Sequence, residues 1–354
     1  MQDQTASMRG HRAVSTLLFV MLWAVLIITL LVSAGVGQLP IPPSEVLGSL
    51  FSKVGLDWFA DPTTPMADET LWAIRFPRVA MAALVGAGLA VSGLLMQAVF
   101  GNPLAEPGVI GISSGAALGA GISIVFGFTA FGSWSTAVFA FLAGLAATFL
   151  VYSMSRSEGK TEVVTLVLTG IAVNAVAGAG IALLTFLGDT QSREEIVFWQ
   201  LGSLSGSRWD QVSVVAPVIF AGIVVALLIA HKLDLLALGE RNARHLGVNV
   251  EMLRVGVIVL VALLVGVSVA FAGVISFVGL VVPHLMRMIL GPAHRPLVWA
   301  SMLGGAILMT LADLAARTVV PMADLPIGML TGLVGGPFFF WLLRTTRKRS
   351  GGWG

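Results

Sequence analysis

The sequence predicts an all-α polytopic membrane protein of about ten transmembrane helices, with both termini in the cytoplasm. Three observations carry this. The chain is 57% hydrophobic and 11% charged, against about 25% charged residues in an ordinary soluble domain. Apolar runs of about 20 residues, enough to cross a bilayer as a helix, recur along most of its 354 residues. The basic residues gather in alternate loops, and positive charge beside a span marks the cytoplasmic side.

The first span runs from Ala13 to Val36. It is too long for a signal-peptide core and has no small-residue cleavage site with a polar flank, so it is kept as a span. Gly37 to Thr70 holds Pro40, Pro42 and Pro43 with Glu45, Asp57, Asp61, Asp68 and Glu69, which predicts an outer loop with a short helix. The second span, Pro77 to Phe100, ends in the turn GNPLAEPG; the third covers Val109 to Gly127 and the fourth Ser133 to Tyr152. A short polar loop with Arg156 and Lys160 leads to the fifth, Val163 to Leu187, and then to a second outer stretch, Gly188 to Asp210. The sixth, Val212 to His231, descends to the polar segment 232–254, and Val255 to Phe271 rises as the seventh. The eighth passes through GVISFVGLVVPHLMRMIL, the ninth is Leu297 to Ala316, the tenth Ile327 to Leu343, and the tail 344–354 closes inside. Residues 1–354 thus read as a single transmembrane domain.

The charges test this order. Of the 20 lysines and arginines, only Lys53, Arg75, Arg78, Arg193, Arg208 and Arg317 fall outside, and the other 14 fall inside. Small-residue clusters, GAGLAVSG, SSGAALGAG and GGA, let helix backbones approach closely. The spacing from Gly101 to Ala116 is repeated from Gly291 to Ala306, a weak parallel echo that common glycine and alanine also produce.

The segment 232–254, KLDLLALGERNARHLGVNVEMLR, is the only long polar island in the second half. Leu235, Leu236, Leu238, Ala243 and Leu246 recur at helical spacing, punctuated by Gly239 and Gly247, which predicts two short helices with a bend. A joining loop needs no apolar stripe. The stripe fits either a partner protein or the membrane surface, where an amphipathic helix lies flat.

Several activities are excluded. Neither GxxxxGK[ST] nor GxGxxG follows a strand-like run, so any ATP is consumed by another chain. With no cysteine, there is no disulfide and no thiolate metal site, and there is no histidine cluster with metal spacing or paired catalytic carboxylates. The ionisable residues within spans are few: Asp313, His284 and Arg287. Asp313 stands four residues before Arg317, so an ion pair competes with a relay role. His284 and Arg287 lie at the cytoplasmic end of the eighth span and snorkel. Without a chain of buried carboxylates, a proton-driven carrier is disfavoured.

Arginine on the outer side needs a carboxylate to justify it. Arg75 and Arg78 sit three apart at the mouth of the second span, and Arg317 at the outer end of the ninth. The partners are either acids on another protein or Asp68, Glu69 and Asp324 of the same chain.

The runs RFPRVAMAALVGAGLAVSGLLMQAVFGNPLAEPGVIGISSGAALGA, ALGERNARHLGVN and GVISFVGLVVPHLMRMILGPAHR, with ADLAAR and LPIGMLTGLVGGPFFFWLL, resemble the FecCD-type permease subunits of ATP-binding-cassette importers for iron chelates, haem and cobalamin. The resemblance covers Ile41 to Leu343. It implies a homodimer with a central path, two cytoplasmic ATP-binding subunits holding ATP and Mg, and an external binding protein. It implies no cofactor on this chain, no catalytic residue, no metal site and no nucleic-acid partner. By the same resemblance, Arg75, Arg78 and Arg317 dock the binding protein. Leu238, Gly239, Glu240, Ala243, Leu246 and Gly247 meet the ATPase, which decides between the two readings of that loop. Asn102 and Leu104 narrow the cytoplasmic exit. KTEVV lacks the small polar pair that helps close the path in the cobalamin branch, so no gate is placed there. The outer stretch IVFWQLGSLSGSRW, with Phe198 and Trp199, and the run GGPFFFWLL resemble the haem branch. Haem is therefore the expected substrate, ahead of a ferric siderophore and then cobalamin. The rivals from other classes are an ion-coupled secondary transporter with a midplane site and a membrane-embedded enzyme.

Overall fold

Apolar runs of this kind become helices because a bilayer core offers backbone N–H and C=O groups no other partner. A computed structural model describes residues 2–53, 55–56, 58–59, 65–157, 160–320 and 323–349. Asp57, Asp61 and the tail end, 350–354, lie outside the described residues. The helices are α1 (Gln2–Gly35), α2 (Pro43–Ser52), α3 (Pro65–Thr70), α4 (Phe76–Phe100), α5 (Ile112–Val125), α6 (Ser135–Met154) and α7 (Val163–Leu187). They continue as α8 (Thr190–Leu201), α9 (Trp209–Leu236), α10 (Glu240–His245), α11 (Val250–Ala272), α12 (Val278–Leu290), α13 (His294–Ala316) and α14 (Ile327–Arg349). Among the described residues, 7 helical units are long and apolar enough to cross a membrane, and three shorter apolar helices lie in α5, α12 and α14.

Four expectations need correction. The helix of the second span does not begin at Pro77: α3, a π-helical turn at Leu71–Arg75 and α4 run on as one helical unit, so Arg75 and Arg78 lie within that unit rather than at its first turn. The eighth span starts at Val278, because α11 ends at Gly273 (φ 70) and 273–277 is not helical. The polar loop after α6 forms a small antiparallel ribbon, Arg156–Ser157 (β1) with Lys160–Thr161 (β2), so the all-α prediction has one exception. The island 232–254 holds one separate helix, α10, joined by turns at 237–239 and 246–249 to the ends of α9 and α11.

The core is built on α4, which packs against α9, α11, α12 and α13. Glycine makes two of these contacts possible. A Cβ at Gly93 would lie 1.7 Å from the Gly279 carbonyl oxygen, and one at Gly86 would lie 2.1 Å from that of Gly305. The helices meet backbone to backbone there, as small residues permit within a membrane.

The bundle is irregular at two points, one inside it and one at its outer side. Phe277 is the only described non-glycine residue with a left-handed backbone (φ 69), and its N–H donates to Glu106 Oε1 at 3.1 Å. Its side chain sits where a Cβ on Gly335 of α14 would intrude, 2.4 Å away. At the outer side, the Trp209 indole N–H donates to the Trp72 carbonyl within the π turn, at 2.7 Å. Trp72 also stands edge-on to Phe76. Indoles collected at one level of the bundle fit the belt that aromatic side chains form at a membrane boundary.

Candidate functional site

The residues singled out in the sequence fall at two ends of the bundle. At one end, the outer end by the charge pattern of the sequence, Arg75 and Arg78 from the α3–α4 unit meet Arg317 just past α13. Arg78 is buried and bonds two acids: Nε to Asp313 and Nη1 to Asp324, each at 2.9 Å. Asp313 is fully buried and also faces Arg317 Nε at 3.6 Å. Arg75 takes no acid among the described residues; it donates to the carbonyls of Ala34 (2.7 Å), Gly35 (2.8 Å) and Leu39 at the end of α1. Arg317 donates to Val36 O at 3.0 Å, to Ser33 Oγ at 2.6 Å and to the Ser33 carbonyl.

Within this cluster three guanidiniums stand against two carboxylates. Of the same-chain partners expected, Asp324 pairs with Arg78, whereas Asp68 accepts the Ser49 hydroxyl instead. Asp313 is held as a structural ion pair to two arginines, with Arg78 the closer. Carbonyl oxygens of α1 carry the larger share of Arg75 and Arg317. No side-chain pattern in the sequence announces a carbonyl, so these partners escaped it.

Beside this end, Phe198 (exposed) and Trp199 (half-buried) on α8 line an outer cavity of about 540 Å³ together with Phe271, Gln191, Glu194 and Ser133. Trp134 stands edge-on to Phe271, ring centroids 5.4 Å apart. Aromatic faces with a polar edge suit a large flat ligand.

At the opposite end, α4 stops at Gly101 (φ 58), and the turn is locked by the Leu104 N–H donating to Asn102 Oδ1 at 2.9 Å. Asn102 is exposed and Leu104 half-buried. In the segment 232–254 the apolar stripe divides. Leu238 (60% exposed) and Leu246 (58%) face outward, while Ala243 is buried within the protomer. Gly239 (φ 100) and Gly247 (φ 86) bound α10 in conformations that side chains resist. Glu240, in the first turn of α10, accepts from Arg254 at 2.5 Å and Arg244 at 2.9 Å. The Arg254 bond, foremost, holds its carboxyl below the ordinary glutamate value. His284 and Arg287 are half-buried on α12, apart from the α10 segment in the chain.

The chain as a whole has counterparts among known proteins. The FecCD transport family matches residues 25–345. The chain belongs to that family. A hemin transport system permease protein, HmuU of Yersinia pestis, is 44% identical over 292 residues, covering 80% of this chain and 87% of the relative. A vitamin B12 import system permease protein, BtuC of Klebsiella pneumoniae, is 36% identical over 328 residues, 92% of each. A molybdate import system permease protein, MolB of Haemophilus influenzae, is 35% identical over 315 residues, 89% of this chain and 91% of the relative. A solved ABC transporter in an inward-facing conformation, assigned to the metal-chelate type, superposes with a TM-score of 0.80 at 33% identity, covering 92% of this chain and 98% of that one. As a FecCD-type permease the chain is the membrane-spanning subunit of an ABC importer, multi-pass in the inner membrane. That places it apart from self-sufficient ion-coupled carriers and from membrane enzymes.

Proposed function

We propose that this chain is the permease of a haem importer. Two copies form a central path, two cytoplasmic ATP-binding subunits hydrolyse ATP with Mg, and an external binding protein delivers the substrate; the chain itself holds no cofactor. The observation that carries haem is the 44% identity to a hemin permease over 80% of the chain, against 36–38% for the cobalamin relatives and 35% for the molybdate relative. The aromatic outer cavity at Phe198, Trp199 and Phe271 supports it. A ferric siderophore is the second reading, because the same apolar surface would pass one.

Ten spans result when the three shorter apolar helices are added to the 7 longer ones. The dimer draws support from α7 and α14, whose Leu168, Ile171, Leu333 and Val334 are exposed apolar side chains. Arg75, Arg78 and Arg317 serve docking as a local basic cluster, three guanidiniums against Asp313 and Asp324, on an outer side otherwise rich in acids such as Glu45, Asp68, Glu69, Glu194, Glu195 and Asp210. Leu238 and Leu246 press into the ATPase, with Gly239, Glu240, Ala243 and Gly247 shaping α10. Asn102 and Leu104 narrow the exit.

The test is reconstitution in liposomes with the cognate ATP-binding subunit and binding protein. Haem should stimulate ATP hydrolysis and accumulate inside. Stimulation by a ferric siderophore, cobalamin or molybdate in place of haem overturns the substrate assignment, and uptake without any ATP-binding subunit overturns the transporter class.

A further inference from the structure

All three polar groups of one threonine are used by the helix after the coupling segment. Thr161 ends the ribbon between α6 and α7. Its N–H donates to Glu251 Oε2 at 3.1 Å and its hydroxyl to Glu251 Oε1 at 2.5 Å. Its carbonyl accepts from Arg254 Nη1 at 2.9 Å. The other arm of Arg254 reaches Glu240 Oε1 at 2.5 Å, and Glu240 sits in the first turn of α10. Thr161 is 3% exposed and Arg254 5%, while the Glu240 and Glu251 side chains are 45% and 28% exposed, so water reaches the network from its carboxylate side only.

The geometry leaves little slack. The ribbon has two residues in each strand, far too little to hold its own position, since even an isolated hairpin is marginal in water. Its place is set by the bonds to α11. Two residues after Thr161, α7 begins at Val163, and the Glu162 N–H closes back on the Ser155 carbonyl at 3.1 Å. Helix α7 in turn lines an inner cavity of about 380 Å³ through Val167, Ile171 and Asn174, facing Glu106 and Ser113.

We propose that Thr161, Glu251, Arg254 and Glu240 form a rigid joint that carries movement of α10 into the start of α7 and so reshapes the inner cavity. These are positioning residues: none touches the substrate, and none was singled out for this role by its sequence pattern. The inference rests on the proposed role of α10 as the contact with the ATP-binding subunit. A displaced α10 pulls Glu240, Glu240 pulls Arg254, and α7 moves with them because its entry is bonded to the same arginine and to Glu251.

The chain has no cysteine, which permits one label on each permease copy when the label is attached before the partner subunits are added. Val164→Cys, in the first turn of α7 and 72% exposed in the wild-type protomer, carries a spin label into the assembled transporter. On ATP binding the label should change its environment, and transport per ATP should match the unlabelled protein. Thr161→Val removes only the hydroxyl; it should abolish the label's response and lower transport per ATP about fivefold or more. Thr161→Ser restores the hydroxyl and should recover both. The proposal is overturned if the label does not respond in the parent, if Thr161→Val responds and couples normally, or if Thr161→Ser fails as badly as Thr161→Val. Failure of the parent chain to assemble with the ATP-binding subunit instead overturns the transporter reading, a separate outcome read before any Thr161 variant is compared.

Discussion

The Arg78 guanidinium donates to the fully buried Asp313 carboxylate at 2.9 Å, fastening α4 to α13 at the outer rim. Removing Arg78 leaves the buried Asp313 carboxylate with only its longer contact, Arg317 Nε at 3.6 Å, in a site that water does not reach. Arg78→Met should therefore cost about 3 to 5 kcal/mol, read as a large fall in thermal stability of the detergent-solubilised protein. Adding Asp313→Asn should recover much of it. A double variant as unstable as the single one would show that the pair is not the cause.

Glu106 caps the Phe277 N–H across 171 residues. Glu106→Ala deprives that donor of its partner and should destabilise by about 1 to 3 kcal/mol. Glu106→Gln keeps an oxygen at the same reach and should lose less. Equal losses in the two variants, measured by thermal unfolding, would mean that the carboxylate charge matters and the cap does not.

Leu246, just past α10, is 58% exposed. Leu246→Asp should leave membrane insertion and protomer stability intact yet weaken binding of the ATP-binding subunit by about 2 kcal/mol or more. Normal co-purification of that variant would place the contact elsewhere.

The Arg254 hydrogen bond depresses the Glu240 pKa in the folded protein. Stabilisation from a depressed carboxylate is fully present above its unfolded value, about 4.3, and is lost as pH falls through the lower folded value. Amide exchange in α10 should thus show constant protection relative to the Glu240→Gln variant between about pH 5 and 8. The two should converge only in acid. A difference that vanishes near neutrality would contradict the assignment.

Much of the fold was legible because hydrophobic period and charge bias are local properties of the chain. The spans of α6, α7, α9 and α13 are marked by their apolar runs, and the outer arginines by their need for partners. What escaped depends on distant contacts. The run GVISF is apolar and β-branched and reads as helix, yet Gly273 turns the chain and Phe277 restarts it under a carboxylate supplied from the α4–α5 turn. The ribbon at Thr161 is too short to show an alternating pattern. Arg75 and Arg317 bond mostly to carbonyl oxygens, which every residue has and no sequence distinguishes. The coupling stripe reads as one surface in the sequence, but Ala243 turns inward while Leu238 and Leu246 do not.

The bonds from Arg75 and Arg317 to the end of α1 also bear on the order of synthesis. Ser33 and Val36 wait for an arginine that emerges 284 and 281 residues later. Arg75 can seize the neighbouring carbonyls within about forty residues of them, so α1 gains its early anchor while translation continues. The late anchor closes only after α13 has entered the bilayer. A nascent chain halted before Arg317 would keep its first helix tethered on one side alone, and a protease acting on the outer segment between α1 and α2 would cut that intermediate faster than the finished protein.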